Sequence, residues 1–169
     1  EELSVPIVVK ETGCGLSRSV GKKLVQLGVQ WVDVSGAGGT SWVAVEVHRT
    51  AEKHKGIGET FWDWGIPTAA STAAIGDLNL GICATGGITN GLMIAKSIAL
   101  GASCGGIARS ILQAHAEGGH ELARQRVKQV IDEIRIALLL TGSKNIQELQ
   151  NTSLILGEKL IPWASKNAN

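Results

Sequence analysis

Paired glycines ahead of a helical segment are the residues best placed to do chemistry in this sequence. Gly86 and Gly87 sit between a short apolar run (Ile82, Cys83, Ala84) and a helical pattern that opens at Thr89 or Asn90. Lacking Cβ atoms, they let main-chain N–H groups approach an anion closely. A helix N-terminus at the same place adds about half a positive charge. That arrangement is a phosphate cradle, although Gly-Gly before a helix is also an ordinary tight connection. A second glycine-rich stretch, SGAGGT, carries the hydroxyls of Ser35 and Thr40. Lys10 stands near the end of the apolar run VPIVVKE, residues 5–11. His48, His54, His115 and His120 lack metal-ligand spacing. The last two fall about 140° apart on a helix, which fits surface or capping roles. Cys83 and Cys104 read as small core residues on neighbouring strands rather than as nucleophiles.

The elements that must position these residues follow a regular rhythm. Residues 5–11 form a short apolar run ending in charge, the pattern of a strand buried on both faces. Ser17 then caps a helix striped by Val20, Leu24 and Leu27 and stopped by Gly28. A second strand over residues 29–34 opens into SGAGGT, completing a βαβ unit. The next segment, SWVAVEVHRTAEK, alternates with a strand's period of two, yet its place after a strand and loop argues for a helix capped by Ser41; helix is the expectation. Residues 51–65 are a polar excursion ending in the aromatics Phe61, Trp62 and Trp64, which pack a loop down or form a subunit contact. Pro67 suits the first turn of a helix through Ile75. The helix after Gly87 stripes Leu92, Ala95 and Ala99 and ends at Gly101. ALGASCGGIARS supplies a last short strand before residue 109, accepted on the rhythm alone because Gly105 and Gly106 make a poor strand. A long helix over residues 121–140 presents Val127, Ile131, Ile134 and Leu138, and Asn145 with Glu148 forms a capping box for a final helix.

Four strand–helix units with glycine-rich loops at the strands' carboxyl ends indicate a parallel α/β architecture, and their regularity favours a barrel. A (β/α)₈ barrel takes about 250 residues, whereas this chain has 169. The expected fold is therefore the C-terminal part of a TIM barrel, about four parallel β/α units plus C-terminal helices, with residues 1–169 a single partial domain. Such a half bares its inward layer and two strand edges. It should pair with a copy of itself or with an N-terminal half, and a start at Glu1 without Met is compatible with a processed or partial chain. A net charge of +1 and only 18% charged residues give nucleic-acid binding little support. No apolar run approaches the roughly 18 residues needed to span a bilayer. Three widely spaced cysteines, an odd number, argue against a disulfide framework and fit a cytoplasmic protein.

Nearly the whole length resembles the type 2, flavin-dependent isopentenyl-diphosphate isomerases. The segments VPIVVKETGCGLS, DVSGAGGTSWVAVE, DWGIPTAAS, TGGITNGLMIAKSIALGA and ALLLTGSKNIQEL carry the likeness, in that family's order. SGAGGT followed at a distance by DWGIPTAAS is far more specific than the Gly-Gly turn. The resemblance implies FMN across the barrel mouth, NADPH as its reductant, and a shift of the double bond in isopentenyl diphosphate to give dimethylallyl diphosphate. It implies that Lys10 faces the pyrimidine edge of the flavin, where an ammonium favours the negative charge of the reduced ring. Ser35 and Thr40 would hydrogen-bond the cofactor. Gly86, Gly87, Ile88 and Thr89 would hold its phosphate, with Ala108 and Arg109 closing that pocket. Arg109 departs from the apolar residue expected there. The family's Gln-Glu pair, whose Glu binds Mg²⁺, and its His and basic residues for the isoprenoid diphosphate have no counterpart here. No catalytic or metal residue is therefore assigned to this chain.

Rival readings remain. A 2-hydroxy-acid oxidase of the FMN-dependent TIM-barrel type shares the strand-end lysine and the Gly-Gly cradle, but wants a base histidine in the second loop, and SGAGGT has none. An inosine-monophosphate-dehydrogenase-like enzyme would need a nucleophilic cysteine, for which Cys14 lacks the flanking pattern. A non-catalytic phosphate-binding half-barrel that dimerises is the reading from a different class.

Overall fold

The computed structural model describes residues 3 to 164, so the ends of the expected 1–169 domain lie outside it. Four parallel strands form one sheet in the order β1 (Val8–Lys10), β2 (Trp31–Asp33), β3 (Gly81–Ala84) and β4 (Cys104–Gly105). Each is followed by helix: α1 (Arg18–Gln26) after β1; α2 (Trp42–Arg49), α3 (Glu52–Thr60) and α4 (Thr68–Ile75) after β2; α5 (Gly91–Ala99) after β3. After β4 come α6 (Arg109–Thr141), α7 (Ile146–Gln150) and α8 (Ile161–Ala164). Sequential parallel strands joined by helices make this a four-strand portion of an α/β barrel.

The two faces of the sheet have opposite fates. Val32, Val34, Ile82 and Ala84 point to the helices and are completely buried, forming one core with Ile75, Ile94 and Ile98. The other face carries Val8, Trp31 and Gly81 in one register row and Lys10, Asp33, Cys83 and Cys104 in the next. No layer covers it. Val8 remains 51% and Trp31 39% exposed, and the Trp31 ring lies so close over Gly81 that a Cβ there would sit 2.4 Å from a ring carbon. The expected burial of the first strand on both faces is thus corrected. Of the run 5–11 only Val8–Lys10 is strand, and Val9 alone packs on the core. An edge strand with an uncovered inner face cannot do otherwise.

Four helix starts were legible and helix faces less so. Ser17, Ser41, Asn90 and Asn145 each accept a first-turn N–H with the side chain, capping α1, α2, α5 and α7. The period-two pattern of α2 is overridden by tertiary context, and its one buried residue is Val47, overlaid by Gly58 of α3. The polar excursion of residues 51–65 contains α3, a surface helix with no buried residue, whose two glycines had masked any helical pattern. Pro67 is the N-cap of α4 rather than part of its first turn. In α1 the expected stripe is wrong at both ends, with Leu27 78% exposed and Val20 also exposed. Arg18 and Gly21 are buried instead, the glycine lying against Ile75 and Leu78. In α5 Leu92 is exposed, and Ile94 and Ile98 flank Ala95 in the core.

The long helix begins at Arg109, not at residue 121, and breaks at Gly118 and Gly119, where Gly119 has φ 64 and ψ −153. The break brings His115 and His120 together edge-to-face, 6.1 Å between centroids, against the separation a continuous helix would impose. Beyond it, Val130, Ile134, Ala137 and Leu138 pack inward, while Val127 and Ile131 face out. β4 forms despite its poor propensity, because Gly105 lets Ile94 of α5 close onto the sheet: a Cβ there would lie 2.8 Å from that side chain. No described helix is long and apolar enough to cross a membrane.

Candidate functional site

At the carboxyl ends of the strands the loops surround a cavity of about 590 Å³. It is lined by Lys10, Ser35, Thr40, Gly86, Gly87, Ile88, Thr89, Ala108 and Arg109, with further loop residues between them. Every residue singled out in the sequence as a candidate for cofactor contact is therefore brought to one place. No histidine lines this cavity.

Asp33 organises the floor. Its Oδ2 accepts from the Lys10 ammonium at 2.9 Å. Its Oδ1 accepts the Ser35 N–H at 3.0 Å and the Thr85 hydroxyl. One carboxylate thus ties the ends of β1 and β3 to its own loop, and it is 13% exposed whereas the lysine is 56% exposed. Ser35, held by that bond, takes φ 34, a left-handed conformation uncommon outside glycine and asparagine. Glu11 does similar work in the first loop, where its Oε2 accepts the N–H groups of Gly13, Cys14 and Gly15 at 2.6, 2.5 and 3.1 Å. Sequence reasoning passed over both acids. The available signal was an acid followed within two to four residues by glycine-rich backbone, in DVSG and ETGCG.

The phosphate cradle differs from expectation in one respect. The N-terminus of α5 is answered by the protein itself: Gly91 donates to the Glu133 carboxylate at 2.6 Å and Met93 to Asn90 Oδ1 at 2.9 Å. The open helix N-terminus belongs to α6, where Ala108 provides no side-chain cap. Among the described residues no acceptor meets the N–H groups of Gly86, Gly87, Ile88 and Thr89, nor those of Ile107, Ala108, Arg109 and Ser110. Two runs of unpaired donors therefore border the cavity, one after β3 and one after β4. A set made only of N–H groups, beside a helix N-terminus, fits a phosphate. Space for it depends on glycine. A Cβ on Gly39 would lie 2.7 Å from the Gly87 nitrogen, and one on Gly87 would lie 2.4 Å from the Gly38 oxygen. Arg109 has its own partner across the cavity. Its Nη2 crosses the mouth to Thr40 Oγ1 at 3.1 Å and links the last loop to the second.

The cysteines are set apart from the amides. Cys83 and Cys104 are register partners on β3 and β4, Cys104 exposed and Cys83 partly buried. Burial first, then the hydrogen bond with Cys104, pushes the Cys83 thiol up to about 12, which keeps it protonated and poorly nucleophilic at neutral pH. The expectation that it is no nucleophile fits this, although neither cysteine is a core residue: both lie on the uncovered inner face. Cys14 donates its thiol to the Trp64 carbonyl at 3.4 Å. Among the described residues no cluster of three or more His, Cys, Asp or Glu could hold a metal.

The family model described as FMN-dependent dehydrogenase matches residues 1–156. Among curated proteins, the isopentenyl-diphosphate delta-isomerase of Sulfurisphaera tokodaii is 42% identical over 168 residues, covering 96% of this chain and 45% of the relative. The isomerase of the same name from Methanosarcina barkeri is 45% identical over 160 residues, covering 91% of this chain and 43% of the relative. The chain spans less than half the length of these relatives. Among solved structures, a mandelate oxidase variant with (S)-mandelic acid superposes with a TM-score of 0.68 at 21% identity, covering 92% of this chain and 40% of the other. A flavocytochrome b2 variant superposes with 0.64 at 21% identity, covering 94% and 40%. At that identity these structures speak for the fold alone, a part of the TIM barrel. With its model matched over nearly the whole chain, the family is shown: the protein belongs to the FMN-dependent dehydrogenases.

Proposed function

We propose that this chain is the flavin-binding half of an isopentenyl-diphosphate delta-isomerase, converting isopentenyl to dimethylallyl diphosphate. The observation that carries the reading is the double run of unpaired amides, residues 86–89 and 107–109, on a cavity whose floor holds the Lys10 ammonium. The amides and the α6 N-terminus would hold the FMN phosphate. Lys10, steadied by Asp33, would face the ring's pyrimidine edge, and Ser35 and Thr40 would hydrogen-bond the cofactor between the two. When bound, the flavin supplies a group that can deliver and accept a proton at the shifting double bond. Arg109, held by Thr40, would close the mouth above the phosphate.

The substrate's diphosphate, its Mg²⁺ and the catalytic acid belong outside these residues, in an N-terminal half that a second copy of this chain would not supply. NADPH as reductant and a cytoplasmic setting complete the reading. The test is an FMN titration followed in the visible. One flavin bound per chain, with a perturbed absorption band, supports it. A chain that binds inorganic phosphate but leaves the flavin spectrum unchanged would instead be a phosphate-binding half-barrel.

A further inference from the structure

Thr68, the first residue of α4, lines no part of the cavity and is only 8% exposed. Its hydroxyl stands directly behind the Gly86–Gly87 turn. The single Oγ1 proton is shared between the carbonyls of Thr85 at 3.0 Å and Gly86 at 2.6 Å. The Gly36 N–H also meets the Thr85 carbonyl, at 3.0 Å. In a trans peptide the C=O of one residue and the N–H of the next point in opposite directions, and no cis peptide occurs among the described residues. Holding the Thr85 carbonyl back therefore sends the Gly86 N–H forward. Holding the Gly86 carbonyl back does the same for Gly87.

The turn needs such a restraint. Gly86 and Gly87 have φ 102 and 72, and glycine tolerates so much of φ/ψ space that the peptide between them has no steric reason to prefer one face. A flipped peptide would present a carbonyl oxygen to the cavity, and an anion would be repelled rather than held. The approach of Thr68 is itself permitted by a glycine. A Cβ on Gly36 would lie 2.3 Å from Thr68 Cα and 2.6 Å from its Oγ1. The first glycine of SGAGGT and the threonine of DWGIPTAAS thus form one device across a gap of 32 positions.

We infer that Thr68 is a positioning residue that aims the Gly86 and Gly87 amides at a bound phosphate without touching it. The inference rests on the phosphate seat proposed above, and the closing experiment separates the two. The full chain is titrated with inorganic phosphate, and with FMN, while the Gly86 and Gly87 amide resonances are followed by NMR in the wild type, Thr68→Val and Thr68→Ser. Wild type and the serine variant should bind alike, with both glycine amides moving downfield. The valine variant should bind roughly 10- to 100-fold more weakly, the range for losing a charge-assisted donor; its Gly87 amide should barely move, while the Gly86 amide, whose peptide the Gly36 N–H still holds, keeps its shift. Equal affinity and equal amide shifts in Thr68→Val overturn the inference while leaving the seat intact. No amide shift in the wild type overturns both. Should the valine variant fail to fold, the wild type still decides, because a Thr68 hydroxyl engaged as described is shielded and gives a resolved proton resonance. Rapid exchange of that proton with water would overturn the inference.

Discussion

Asp33 carries more of the site than any residue that touches the cavity's contents could. It is mostly buried, accepts from three groups, and neutralises the ammonium placed nearest the flavin's proposed ring edge. Asp33→Asn keeps the shape but turns one acceptor oxygen into a donor facing Lys10 or Ser35. The expected result is an FMN affinity lower by about 10-fold or more, from the loss of a charge-assisted bond, with the fold retained by circular dichroism. Unchanged affinity would show that Lys10 needs no anchoring. The strand-end place of Lys10 was legible in the apolar run it closes, while its role toward a cofactor came from the family resemblance. Asp33 was not legible, since an acid two residues before a serine has many ordinary uses. Only the register Lys10↔Asp33 puts it against the ammonium.

At the scale of elements, α4 is the hinge between loops. Besides Thr68 it carries Ser71, fully buried, whose Oγ both accepts the Leu16 N–H and donates to the Leu16 carbonyl, each at 2.8 Å. It also abuts Arg18, whose guanidinium reaches the Ala74 carbonyl and pairs with Asp77, the hydrogen bond to Asp77 pushing its pKa upward against the effect of burial. Ser71→Ala strands two buried main-chain groups and should cost about 2–4 kcal/mol, read as a lowered midpoint in urea. A loss below about 1 kcal/mol would mean that water replaces the hydroxyl. The break in α6 can be tested in the same way. At φ 64 and ψ −153, Gly119 occupies a region effectively closed to other residues, so Gly119→Ala should destabilise by about 1–3 kcal/mol and separate the two histidine rings. Helix caps were readable because each is a local bargain between one side chain and one amide. Helix faces misled wherever the covering layer was absent or a glycine let a neighbour in closer.

The whole molecule is one sheet with a finished outside and an unfinished inside. Val8, Trp31 and Cys104 on the inner face, with the apolar Val5 and Ile7 before β1, present a surface that a soluble domain ordinarily covers. The isolated chain should therefore bind a hydrophobic dye such as ANS strongly and associate with itself as concentration rises. A monomer at high concentration with no dye response would contradict an uncovered inner face. What the amino-acid order determined unaided was the strand–helix rhythm, the caps, and which loops hold glycine, because these depend on neighbours a few positions apart. What tertiary structure alone decided was direction. Which helix N-terminus stays open, where Arg109 reaches, and which way two glycine amides face are set by Glu133, Thr40 and Thr68. They lie 17 to 69 residues away along the chain from the groups they meet, and come within hydrogen-bond reach only after folding.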